Sequence, residues 1–167
     1  MSITVALTTN MGNFTIELDE ERAPSTVANF LAYVDSGHYD GTVFHRVIRG
    51  FMVQGGGYDT AFNKKPPSAP IQNEADNGLK NVRGTVAMAR TSDPHSATTQ
   101  FFVSHGKNDF LDHKSKDDRG WGYTVFGKVT DGMDVIDAIA DVVTGPKGPF
   151  SKDAPQGDVV IERAARV

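Results

Sequence analysis

The stretch Phe44-His45-Arg46-Val47-Ile48-Arg49-Gly50-Phe51-Met52-Val53-Gln54-Gly55-Gly56-Gly57 is the most informative in the chain. Its β-branched and aromatic residues predict strands over 43–47 and 52–54. Residues two apart in a strand share a face, so Phe44 and Arg46 are expected to look one way, and Met52 and Gln54 to share a face on the next segment. A guanidinium, large apolar side chains and an amide then converge. A purely structural reading makes Phe44, Phe51 and Met52 core, His45 an interior histidine and the glycine run a bulge or turn. Further segments of the same kind favour a site. Met88-Ala89-Arg90, then Gln100-Phe101-Phe102 and Phe110-Leu111, add apolar walls and amide side chains.

Working outward, Val5 and Leu7, then Phe14, Ile16 and Leu18, alternate around Thr9-Asn10-Met11-Gly12 and predict an opening β-hairpin. Met1-Ser2-Ile3 reads as the start of its first strand, without the positive and apolar regions of a secretory signal. A cytoplasmic location is expected. Asn13-Phe14-Thr15 fits a glycosylation acceptor, but its place in the hairpin explains it better. Val27, Phe30, Leu31 and Val34 recur at helical spacing between Pro24 and Gly37, predicting one amphipathic helix. Asp131 is expected to cap a second, with Val135, Ile136 and Ile139 as its stripe and Gly145-Pro146 as its end. The remaining periodic segments, 85–89, 101–104, 123–129 and 159–166, read as strands. Short strands with too few helices for parallel crossovers predict a closed antiparallel barrel or sandwich. The long loops at 55–80, 90–99 and 104–122 are places where function concentrates.

Composition limits the chemistry. A chain of 167 residues with 38% hydrophobic and 23% charged residues suits a single globular domain, 1–167. The formal net charge of -4 is spread over both signs, so no nucleic-acid or membrane partner is expected. Absence of cysteine excludes disulfides, thiolate nucleophiles and thiolate metal sites. A hydrolase or metal enzyme built on His45, His95, His105 or His113 lacks a Gly-x-Ser-x-Gly elbow, a His-Glu-x-x-His helix or a compact His-x-His cluster. The glycine run lacks the Gly-Lys-Ser/Thr of a phosphate loop.

Through Phe44-His45-Arg46, Gly50-Phe51-Met52-Val53-Gln54-Gly55-Gly56, Met88-Ala89-Arg90, Gln100-Phe101-Phe102 and Phe126-Gly127, nearly the whole chain resembles the cyclophilin family of peptidyl-prolyl cis-trans isomerases. The resemblance implies a mainly β fold, a closed eight-stranded antiparallel barrel capped by two α-helices. It implies no cofactor and no metal. By the same likeness Arg46 corresponds to the catalytic arginine, and Phe51, Met52, Phe102 and Leu111 to the walls of a proline pocket. Gln54, Ala89, Arg90 and Gln100 correspond to peptide-binding groups.

The chain departs from the best-known eukaryotic pattern at several places, and two of them, Tyr123 and the longer loop before it, resemble the bacterial branch. Phe110 stands where a pocket tryptophan is common, so binding of cyclosporin, which uses that indole, is expected to be weakened. Tyr123 takes the place of a pocket histidine, Arg90 that of an asparagine, and the 112–122 loop with Trp121 is longer. Expected partners are proline-containing peptides and unfolded or folding proteins, and the expected state is a monomer. A non-catalytic proline-peptide binding or chaperone module is the alternative on the same scaffold.

Overall fold

The computed structural model describes residues 3–167, so Met1 and Ser2 of the expected opening strand lie outside the described residues. The hairpin forms as β1 (Ile3–Thr9) and β2 (Gly12–Leu18), with Val5, Leu7, Phe14, Ile16 and Leu18 all turned into the core. After α1 (Pro24–Asp35) follow β3 (Thr42–Ile48), β4 (Met52–Asp59), β5 (Thr85–Met88), β6 (Phe101–Ser104) and β7 (Val125–Asp131). Next come α2 (Met133–Ala140), β8 (Thr144–Lys147), β9 (Phe150–Pro155) and β10 (Val160–Arg166).

Eight of these strands close a barrel in the order β1-β10-β3-β4-β6-β5-β7-β2, and every ladder is antiparallel. Closure gives every strand of the barrel a partner on each side, the β10–β3 seam being the shortest. Among the described residues no helix is long and apolar enough to cross a membrane.

Aromatic packing ties α1 to the barrel interior. Phe30 is fully buried and its ring centroid lies 5.1 Å from Tyr39, 5.5 Å from Phe101 and 5.1 Å from Phe126. Tilted and edge-on contacts of this kind add to the burial of apolar area. Pro24 begins the helix as expected, but Glu74 on a distant loop satisfies its N-terminal amides.

The second helix departs from its sequence reading. Asp131 ends β7, and the residue before the helix is Gly132, with φ +88°. Glycine is required there both for the left-handed backbone and for space, since a Cβ would lie 2.5 Å from the Asn13 carbonyl oxygen. The helix also stops at Ala140, and 144–155 fold into the separate β8–β9 hairpin instead of prolonging it. Ile136, Ile139 and Ala140 alone carry its buried face.

Candidate active site

A β-bulge at His45 decides which way Arg46 points. Phe44 pairs with Gly55 and Arg46 with Gln54, so β3 spends one residue more than β4 over this step. Phe44 consequently lies in the barrel core while Arg46 is exposed on the outer surface. This corrects the expectation that the two share a face: simple alternation fails at an inserted residue. His45 is the residue displaced, packed between the rings of Tyr58 at 4.8 Å and Phe150 at 5.1 Å. Burial, reinforced by the charge of Arg46, pulls its pKa down to about 4.

From the bulge the ladder lays out a row on the outer face. Arg46 on β3 pairs with Gln54 on β4, Gln54 with Phe102 on β6, and Phe102 with Ala87 on β5. The neighbouring outward row runs from Ile48 through Met52 to Ser104. Between them passes the inward row of Val47, Val53, Val103 and Val86, and on the other side of the first lies that of Phe44, Phe101 and Met88, all in the main core. Met52 and Gln54 therefore do share the outer face, whereas Met88 and Phe101 face inward and leave Ala89, Gln100 and Phe102 to border the site.

Met52, Ala87, Phe102 and Val125 form a second apolar cluster, separate from the barrel core. Half-exposed Phe51, Leu111, Tyr123 and Ala89 pack against it. The Phe102 and Tyr123 rings meet edge to face at 5.9 Å, and a short 3₁₀ turn at Asp109–Leu111 brings Leu111 over the patch. Phe110, 60% exposed, stands at the rim with its ring 5.5 Å from Phe51.

Polar groups surround this cluster. Gln54 Nε2 donates to Gln100 Oε1 at 3.0 Å. Arg90 folds back, its guanidinium 4.5 Å from the centre of the Tyr123 ring, with Nε donating to the Gly122 carbonyl at 3.0 Å and Nη1 to that of Thr91 at 2.8 Å. Its charge is thereby spent on the Tyr123 ring and on loop carbonyls. The Ala89 N–H bonds to the Gln100 carbonyl at 3.0 Å, and among the described residues the Arg90 N–H and C=O have no backbone partner. Nor does the Arg46 guanidinium make any hydrogen bond or ion pair among them.

The glycine run follows from these neighbours. A Cβ on Gly55 would come within 2.7 Å of the Val43 carbonyl oxygen, and one on Gly57 within 2.6 Å of the Gln100 side chain. Sequence reasoning missed Ile48, Leu79, Ala87 and Val125, which complete the patch. Strand alternation could have found three of them; Leu79 lies in a loop and carried no periodic signal.

The remaining histidines are scattered. His95 and His113 flank Trp121 at 5.0 and 5.2 Å, and that indole is buried between the two loops that carry them. His105 contacts Asp137. Among the described residues no group of three or more His, Asp or Glu side chains could hold a metal ion.

Residues 4–166 match the family described as cyclophilin type peptidyl-prolyl cis-trans isomerase/CLD, and the chain belongs to that family of enzymes. Bacterial relatives narrow the class. The chain is 59% identical over 161 residues to peptidyl-prolyl cis-trans isomerase cyp18 of Streptomyces antibioticus, covering 96% of each. It is 52% identical over 158 residues to peptidyl-prolyl cis-trans isomerase B of Escherichia coli, covering 95% of this chain and 96% of that one. A cyclophilin type isomerase of Cryptosporidium parvum superposes with a TM-score of 0.78 at 25% identity, over 100% of this chain and 98% of its own. The same protein, solved in the presence of the dipeptide Ala-Pro, gives 0.76 at 26% identity over 97% of both chains. The chain is a peptidyl-prolyl cis-trans isomerase of this type.

Proposed function

We propose that Arg46 accelerates Xaa-Pro isomerisation by donating to the prolyl nitrogen of a twisted amide held in the apolar cleft. The peptide C–N bond resists rotation because the nitrogen lone pair is delocalised into the carbonyl, a barrier of roughly 18–20 kcal/mol. Twisting the bond returns the lone pair to nitrogen. A donor aimed at that atom binds the twisted form better than the flat one, which is the condition for catalysis. A factor of about 10⁴ to 10⁵ needs only about 5.5–7 kcal/mol of such preference, so neither a covalent intermediate nor proton transfer is required. Arginine suits the task because its planar guanidinium stays charged and presents several N–H groups.

Phe51, Met52, Phe102, Leu111 and Tyr123 hold the pyrrolidine ring, with Phe110 at the rim. Gln54, steadied by Gln100, and the unpaired backbone groups of Arg90 beside Ala89 bind the flanking peptide, directing binding energy into orientation. Substrates are proline-containing peptides and folding proteins, in keeping with the Ala-Pro dipeptide present with the Cryptosporidium relative. One domain carries all of these groups.

The observation that carries this reading is the outward row Arg46–Gln54–Phe102, which sets an unpaired guanidinium beside an apolar patch. Arg46→Ala is expected to lose most of the acceleration measured by NMR exchange of a short Xaa-Pro peptide, while still binding that peptide. Wild-type exchange rates in the variant would remove the guanidinium from the mechanism and favour a groove that acts by binding alone.

A further inference from the structure

The turn between β3 and β4 presents Phe51, and a network with no evident motif holds it from outside. His105 Nδ1 accepts a hydrogen bond from the Gly50 N–H at 2.8 Å, while Nε2 lies 3.0 Å from Asp137 Oδ1 on α2. A ring nitrogen that accepts carries no proton, so the proton sits on Nε2 and points at Asp137. Asp137 is anchored in turn by Arg83, whose Nη2 lies 2.8 Å from both carboxylate oxygens and whose Nη1 donates to the His105 carbonyl at 3.0 Å. The hydrogen bond from Arg83 is the main reason the Asp137 carboxyl is held below the usual range.

The backbone is gripped at the same place. The His105 N–H and Asn108 Nδ2 both donate to the Phe51 carbonyl at 2.9 Å. A Cβ on Gly106 would collide with the Gly50 carbonyl oxygen, so the two segments lie against each other without slack. His105 itself is only 14% exposed. The charged groups around it are Arg83 and Asp137, Lys107 on its own segment, and Arg49 on the turn, which pairs with Asp141 at 3.2 Å.

We propose that His105 is a positioning residue for the isomerase site: neutral, it clamps the 48–52 turn and keeps Phe51 against the proline cleft, and protonated it releases that turn and weakens peptide binding. The inference rests on the reading of Phe51 as a pocket wall. Protonation would turn Nδ1 from acceptor to donor and set it against the Gly50 N–H. The Nε2 contact with Asp137 survives protonation, so the ring stays anchored to α2 while its other nitrogen gives up the turn. Loss of one partly exposed hydrogen bond corresponds to a change of about two- to tenfold in binding.

The test follows the Gly50 amide and the His105 ring by NMR between pH 8 and pH 5, alongside KM and kcat for a Xaa-Pro peptide. The Gly50 amide is expected to shift with the same midpoint as the His105 ring, and KM to rise about two- to tenfold with a smaller change in kcat. In His105→Asn the side-chain oxygen offers an acceptor near the Nδ1 position and does not titrate, so KM should stay flat across the range. His105→Leu should show the raised KM already at pH 8. A Gly50 amide indifferent to His105, or a wild-type pH step surviving in His105→Asn, overturns the proposal. Phe51→Ala at pH 8 separates the two readings: unchanged KM there, with Gly50 still following His105, means that the pocket assignment is what failed and takes the inference with it.

Discussion

Gln54 and Gln100 face each other across 3.0 Å, amide to amide, between β4 and the residue just before β6. Gln54 is thereby held beside its ladder partner Arg46, with one of its N–H groups already engaged. Replacing either glutamine by alanine should raise KM for an Xaa-Pro peptide by several-fold, and the double variant should be no worse than the poorer single one. A double-mutant cycle is expected to give a coupling of about 1 kcal/mol. Strict additivity would mean that the two amides act separately.

Gly57 and Gly56 should separate activity from stability. A Cβ at Gly57 meets the Gln100 side chain at 2.6 Å, so Gly57→Ala should displace Gln100 and depress kcat/KM with little change in unfolding. Gly56 has φ +94°, and a Cβ there meets the Tyr39 ring at 2.8 Å and the Phe101 ring at 3.0 Å. Gly56→Ala should cost about 1–3 kcal/mol in a urea melt, through strain and overpacking.

Glu74 caps α1 from 48 residues away: Oε1 accepts from the Thr26 N–H at 2.7 Å and from its hydroxyl at 2.6 Å. Glu74→Ala would strand both donors, the hydroxyl belonging to a fully buried residue. The expected loss is about 1–3 kcal/mol by urea denaturation, with partial recovery in Glu74→Gln. A loss below a few tenths would show that water replaces the cap.

His45 makes stability depend on pH. Its folded pKa is about 4 against an ordinary 6.5, so below 6.5 the unfolded chain binds a proton that the folded chain refuses. Stability therefore falls as pH drops through this window and is unaffected by His45 above it. At pH 5 the loss amounts to about 2 kcal/mol. His45→Phe, which suits the Tyr58 and Phe150 surroundings and removes the unpartnered buried Nδ1, should lose correspondingly less stability between pH 7 and pH 5. Parallel urea melts of the two proteins at both pH values measure the difference. Equal losses would show that His45 is protonated without penalty.

Much of the fold was legible because hydrophobic period is a local property. Val5 with Leu7, Phe14 with Ile16, and Val27 with Phe30 carry their secondary structure in their spacing, and each faces inward where that spacing puts it. The β8–β9 hairpin was missed because Gly145, Pro146 and Gly148 read as breakers, and strand pairing in that ribbon owes little to alternation. The capping of α2 was misread because Asp131 is a good local candidate. Only contact with β2, at Asn13 and Phe14, shows that the cap position admits nothing larger than glycine.

The chain's order of residues was enough to determine its class of barrel, its enzyme family and most of the apolar side chains that gather in the second cluster. Which face Arg46 occupies was beyond it, since an inserted residue at His45 reverses alternation, and a bulge exists only once β3 and β4 are paired. The same holds for Glu74 on α1 and for His105 between Gly50 and Asp137. Such contacts join residues far apart along the chain, and their directions and distances are set by how strands register and helices dock rather than by any pattern within a single segment.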